Sequence, residues 1–178
     1  MFRRPRPSRI TALAAALALS VLLTACGGGE DELSLTPGKP TVVTASQLAD
    51  FAAEAAHPIY WVGEREEAEY ELTETTSGRV YVRYLRGGAE AGDPRSKFLT
   101  IATYPAKDGI AVLRRVARST EGAKLKRTRD GALLMIDPSA EDNVHLAYPG
   151  GESQIEVYSR VPGQALLLSA AGKVREVR

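Results

Sequence analysis

The sequence predicts an α+β domain: a mostly antiparallel sheet of about six to seven strands with two or three helices on one face. Three observations lead there. Segments with helical periodicity alternate with short runs rich in Val, Ile and Tyr, in the order helix, strands, helix, strands, helix. Two pairs of those runs are joined by turns containing glycine, which reads as two hairpins. Two of the helical segments begin at a residue able to cap them. The two halves, each a helix, a short apolar strand and a hairpin, hint at an internal duplication.

The first helix opens at Thr44, with Gln47 three residues on, so two orphan donors are satisfied reciprocally. Leu48, Phe51, Ala52 and Ala55 then form one apolar stripe. Pro58 disfavours helical backbone at His57 and ends the helix before it. Ile59 to Val62 is a short apolar strand, followed by an acidic loop carrying Glu64, Glu66, Glu67 and Glu69. Tyr70 to Thr75, the turn at Ser77-Gly78, and Val80 to Leu85 make the first hairpin. Arg86 to Ser96, with three glycines and Pro94, is a loop long enough to be mobile. Phe98 to Tyr104 returns as a strand.

Asp108 caps a second helix whose stripe is Ile110, Leu113, Val116 and Ala117, leaving Arg114, Arg115 and Arg118 on the solvent side. Ala132 to Ile136 is a continuous apolar run, the signature of a strand covered on both faces. Val144 to Tyr148 and Gln154 to Ser159 form the second hairpin around Pro149-Gly150-Gly151. Pro162 and Gly172 bracket a third helix at residues 163–171, although Ala165 to Leu168 also fits a strand.

Ahead of the domain stand Arg3, Arg4, Arg6 and Arg9, then an apolar run from Ile10 to Leu23. As a helix that run is about 21 Å long, short of the ~30 Å hydrocarbon core, so it reads as a secretory signal rather than a permanent span. It closes on Leu23-Thr24-Ala25-Cys26. This stretch resembles the lipobox of bacterial lipoproteins. The resemblance implies cleavage before Cys26, acylation of that residue, and an anchor on the extracytoplasmic face of the cell membrane. An ordinary signal peptide with a chance cysteine is the alternative, and the prolines at 5 and 7 break a twin-arginine pattern. Organised this way, residues 1–25 are the signal peptide, 26–40 a flexible Gly- and acid-rich tether, and 41–178 a single domain.

Cys26 is the only cysteine, so the folded domain has no thiol for a disulfide, a metal or catalysis. Without the leader's four arginines, 19 basic residues face 22 acidic ones. That mild acidity argues against a nucleic-acid partner. The expected partners are the membrane, through the lipid on Cys26, and an envelope polymer or another envelope protein.

Chemistry-bearing patterns are sparse. Gly151-Glu152-Ser153-Gln154-Ile155 starts like a nucleophile elbow but has Ile in place of the second glycine. His57 and His145 are the only histidines and are far apart in sequence. Asp137, Ser139, Glu141 and Asn143 open like a calcium loop, but Asp142 stands where glycine is required and Tyr148 where a bidentate Glu is required. No cofactor and no metal is expected. Two surfaces remain. Tyr60, Trp61, Tyr81 and Tyr84 are aromatic residues on strands, able to form a ligand or partner face. Arg114, Arg115 and Arg118 are a basic helix face suited to anionic lipid or polymer. The stretch His57 to Gly63 and the hairpin after it are similar to segments of uncharacterised secreted bacterial proteins, a resemblance that implies no activity. The expectation is a non-catalytic binding module. The alternative is an envelope hydrolase using paired carboxylates such as Glu67, Glu69 or Asp137.

Overall fold

The computed structural model describes residues 33–178. The leader, Cys26 and the glycines after it lie outside the described residues. In chain order the elements are β1 (Thr41–Val43), α1 (Ala45–Glu54), β2 (Tyr60–Trp61), β3 (Glu69–Glu74), β4 (Val80–Leu85) and β5 (Thr100–Pro105). They continue with α2 (Gly109–Ser119), β6 (Lys124–Arg127), β7 (Leu133–Ile136), β8 (Asn143–Ala147), β9 (Ser153–Tyr158), α3 (Gln164–Ala170) and β10 (Arg175–Glu176).

Eight strands form one antiparallel sheet in the order β1-β3-β4-β5-β9-β8-β7-β6, and β2 pairs with β10 in a separate two-stranded ribbon. The class is α+β, with eight strands in the main sheet rather than six or seven. Two meanders, β3-β4-β5 and β6-β7-β8-β9, meet edge to edge where β5 pairs with β9.

Register explains which side chains the sheet buries, since residues directly opposite share a face. Leu72, Val82, Ile101, Val157, Val144 and Ile136 are successive partners across six strands. All but Ile136 are buried, and with Leu134, Leu146 and Ile155 they build the main core. Leu48 of α1, Ala165 and Leu168 of α3, and Tyr60 and Trp61 of β2 close over this core face. The opposite, outer face is covered only at its ends. Leu113 of α2 packs there on Leu133, Met135 and Ala147, which alternate with the core-facing residues of β7 and β8. The helices therefore do not share one face: α1 and α3 lie on one side and α2 on the other. A continuous apolar β7 demands this, because a strand with Leu133 and Met135 on one side and Leu134 on the other needs a cover on both.

The capping box is present as the sequence predicts: Gln47 N donates to Thr44 Oγ1 at 3.1 Å and Thr44 N to Gln47 Oε1 at 3.0 Å. Asp108 accepts from Ala111 N at 2.9 Å at the start of α2. The segment is helical over Gln164–Ala170 rather than extended, with Gly163 in the left-handed region just before α3 and Gly172 in that region two residues after it. Two parts of the chain differ from expectation by being tied down. Leu33 and Leu35 pack against the core, and Gly38 N donates to Glu74 O at 2.6 Å, so the compact unit starts at Leu33.

The loop after β4 is held as well. Arg83 Nη1 donates to Glu71 Oε1 at 2.7 Å, Gly92 N donates to Glu71 Oε2 at 2.7 Å, and Arg83 Nη2 reaches Asp93 O at 2.8 Å. Phe98 closes the loop over Leu85 and lies under the Arg83 guanidinium, 5.1 Å from its ring centre. Polar side chains of two strands have fastened a glycine-rich segment to the outer face.

Candidate functional site

A cleft of about 590 Å³ lies where the β2–β10 ribbon meets the turn before β7 and the end of β8. The chain's last residues build one wall: Trp61 faces Arg175 and Tyr60 faces Glu176 in register, and Val177 N donates to Ile59 O at 2.9 Å. Tyr60 is fixed from behind by its backbone N, which donates to Thr103 Oγ1 at 3.2 Å. Its ring stacks on Tyr148, centroids 5.5 Å apart and planes 5° from parallel.

Each stacked phenol meets a carboxylate. Tyr60 Oη donates to Glu176 Oε1 at 3.5 Å, and Tyr148 Oη lies 3.0 Å from Asp130 Oδ2 and 2.5 Å from Val174 O. Arg178 reaches Glu176 at 3.6 Å, and Arg175 completes the rim. The cleft thus combines an aromatic wall, two acids and two guanidinium groups. It contains no histidine, and Gly172 stands where a Cβ would lie only 3.2 Å from Asp130 Oδ2.

The four aromatic residues singled out in the sequence do not form one surface. Tyr60 and Trp61 line the cleft from buried positions. Tyr84 is core, its hydroxyl accepting from Val62 N at 2.9 Å and donating to Gly63 O at 3.1 Å, so it shapes the exit from β2. Tyr81 sits on the outer face, against Tyr104. There Tyr104 Oη donates to Glu156 Oε2 at 2.6 Å beside His145 and Gln154 in an open trough. Period-2 alternation makes the split unavoidable: Tyr81 and Tyr84 are three residues apart on one strand and must point to opposite sides.

Arg114, Arg115 and Arg118 are exposed on α2, and none forms an ion pair among the described residues. Lys124, Lys126 and Arg127 continue the positive charge along β6, the edge strand. Its residues are all exposed, so no buried stripe marked it.

The carboxylates considered for hydrolysis are scattered. Glu69 on β3 and Asp137 after β7 are five strand spacings apart, roughly 24 Å at ~4.8 Å each. Asp137 accepts from Ser139 N at 2.8 Å and from Ser139 Oγ at 2.7 Å, which holds its carboxyl below the usual range. Glu67 and Glu69 are exposed. The acids that face the Tyr60–Tyr148 cleft, Asp130 and Glu176, had no signal in the sequence. Glu176 lies on a two-residue strand and Asp130 in a turn. His57 is used structurally, Nε2 lying 2.7 Å from Gly78 O and Nδ1 3.2 Å from Pro58 O. Among the described residues no three His, Cys, Asp or Glu side chains are placed to hold a metal ion.

The chain matches no family model. Comparison with curated proteins and with solved structures also gives no match. Among the described residues no helix is long and apolar enough to cross a membrane.

Burial raises four tyrosines. Tyr60 is pushed up to about 12, by burial first and then by Glu176. Burial likewise holds Tyr84, Tyr104 and Tyr148 well above the ordinary phenol value. Unfolded tyrosines ionise near pH 10, so between there and about 12 the native state keeps a proton at Tyr60 that the unfolded chain loses. Stability present below pH 10 should therefore drain away as pH rises through that window. In an ultraviolet phenolate titration, Tyr60, Tyr84, Tyr104 and Tyr148 should ionise only together with loss of the folded signal. Four freely reversible titrations near pH 10 would contradict the burial assigned to them.

Proposed function

We propose that the protein is a lipid-anchored extracytoplasmic module of the bacterial cell envelope that binds a ligand without transforming it. The seat is the cleft between Tyr60, Tyr148, Asp130 and Glu176. The observation that carries the reading is the stacked tyrosine pair with an acid at each phenol and two arginines on the rim. A flat aromatic wall supplies contact area at low conformational cost, while fixed charges of both signs orient a ligand that carries both. Short peptides and amino-acid conjugates have that chemistry. Binding rather than catalysis is favoured because, among the described residues, no histidine or thiol faces the cleft. The anchor rests on the resemblance at Leu23 to Cys26, and the mass of the N-terminal peptide from membrane-extracted protein checks it.

Trp61 is the only tryptophan and lines the cleft, so its emission reports occupancy directly. Peptide-containing envelope fractions should shift that emission. Glu176→Gln and Arg175→Gln should each weaken the response about tenfold or more, the loss of one charge-assisted contact. No shift with any fraction, or equal affinity in both variants, would remove the cleft from consideration.

A further inference from the structure

A second cleft, about 240 Å³, opens at the other end of the strands, where Arg86 leaves β4, Lys97 approaches β5 and Val161 follows β9. Arg65 adds a third cation, its guanidinium 6.0 Å from the centre of the Tyr84 ring. Phe98 and Val161 supply apolar walls. No acid lines this cleft, and none of its three cations has an ion-pair partner among the described residues. The acidic residues beside Arg65 in sequence, Glu64, Glu66 and Glu67, are exposed and stay outside it.

Beside the cleft the surface turns apolar. Five large hydrophobic residues are exposed among those described, and three of them are Val161, Leu166 and Leu167, at 54%, 36% and 69%. They fall within seven residues at the start of α3. Exposed leucines next to unpaired cations are what a surface needs to enter the headgroup boundary of an anionic bilayer. The basic face of α2 lacks this combination, as none of the exposed large hydrophobic residues lies on that helix. The two surfaces also exclude each other. α3 packs on the Leu134–Leu146 side of the sheet and α2 on the Leu133–Ala147 side, so one flat membrane cannot meet both.

We propose that the start of α3 is a membrane-docking surface: Arg65, Arg86 and Lys97 take the phosphate of an anionic phospholipid while Val161 and Leu167 insert beside it. This assignment stands on the geometry of the domain and does not require acylation at Cys26.

The test is co-sedimentation of a chain of residues 27–178, which keeps every core residue described, with vesicles. Binding should appear on phosphatidylglycerol-containing vesicles, stay weak on pure phosphatidylcholine, and fall with added salt. Arg86→Gln with Lys97→Gln, both exposed and so compatible with folding, should weaken it roughly 25-fold, at about fivefold per cation. Val161→Ser with Leu167→Ser should weaken it as well, whereas Arg114→Gln, Arg115→Gln and Arg118→Gln together should leave it unchanged. Undiminished binding by the Arg86/Lys97 variant, or loss of binding in the α2 variant, would overturn the assignment. So would displacement of the protein from vesicles by inorganic phosphate at matched ionic strength, which would mark the cleft as a site for a soluble anion.

Discussion

Replacing Glu71 with alanine should destabilise the protein by about 3–5 kcal/mol, because it leaves a cation on the sheet without its partner. Glu71 is 1% exposed and accepts from Arg83 on one oxygen and from Gly92 N on the other. Removing the carboxylate strands the guanidinium and frees the backbone N–H that anchors the loop after β4. Against a total stability of about 5–15 kcal/mol, that loss is large. Denaturant titration measures it directly, as a fall in the midpoint with an unchanged slope. The paired replacement Glu71→Met with Arg83→Met should recover much of the loss, since no charge is then left uncompensated. If Glu71→Ala unfolds at the same midpoint as the parent, the network is not the fastening described.

Gly109→Ala should destabilise by about 1–3 kcal/mol, through overpacking rather than through backbone preference. Gly109 is the first residue of α2 and is buried against β9. A Cβ there would sit 2.1 Å from Ser153 O and 3.1 Å from Ala147 Cβ. One of those atoms is backbone of a central strand and cannot swing away, so α2 must lift from Leu133, Met135 and Ala147. In an ordinary helix the same change would be favourable, alanine being the better helix former by about 1 kcal/mol. The sign of the effect is therefore the test. Thermal and chemical denaturation should both show a loss, and a gain would mean that α2 does not approach β9 this closely.

The local elements of the fold were legible because they are written in short-range chemistry. Thr44 and Gln47 announce a helix start by mutual hydrogen bonding, and Val80 to Leu85 announces a strand by β-propensity. What stayed illegible was anything depending on a partner distant in sequence. β6 carries only Leu125 as an apolar residue, and its strand character comes from pairing with β7. β10 is two residues long and exists because β2 lies beside it. The loop after β4 reads as mobile by its glycines, yet Glu71 and Arg83, on strands before it, decide otherwise. Of the proposed cleft, only Tyr60 and Trp61 were singled out; Tyr148, Asp130 and Glu176 come from three separate parts of the chain.

By itself the sequence determined the α+β class, the positions of the first two helices and the two hairpins, and the absence of any thiol in the domain, while residues 163–171 fitted helix and strand alike. Each of these follows from residue type or from spacing within one turn or one strand. Only the tertiary structure decided that α2 lies across the sheet from α1 and α3, that the strand tyrosines divide between two faces, and that two clefts open at opposite ends of the strands. Those outcomes depend on register between strands far apart in sequence, 52 residues where Thr103 meets Ile155 and 58 where Thr100 lies opposite Tyr158. Backbone hydrogen bonds fit many registers; burial of one face and the geometry of the turns select among them, and the partner strand is not written in any single segment.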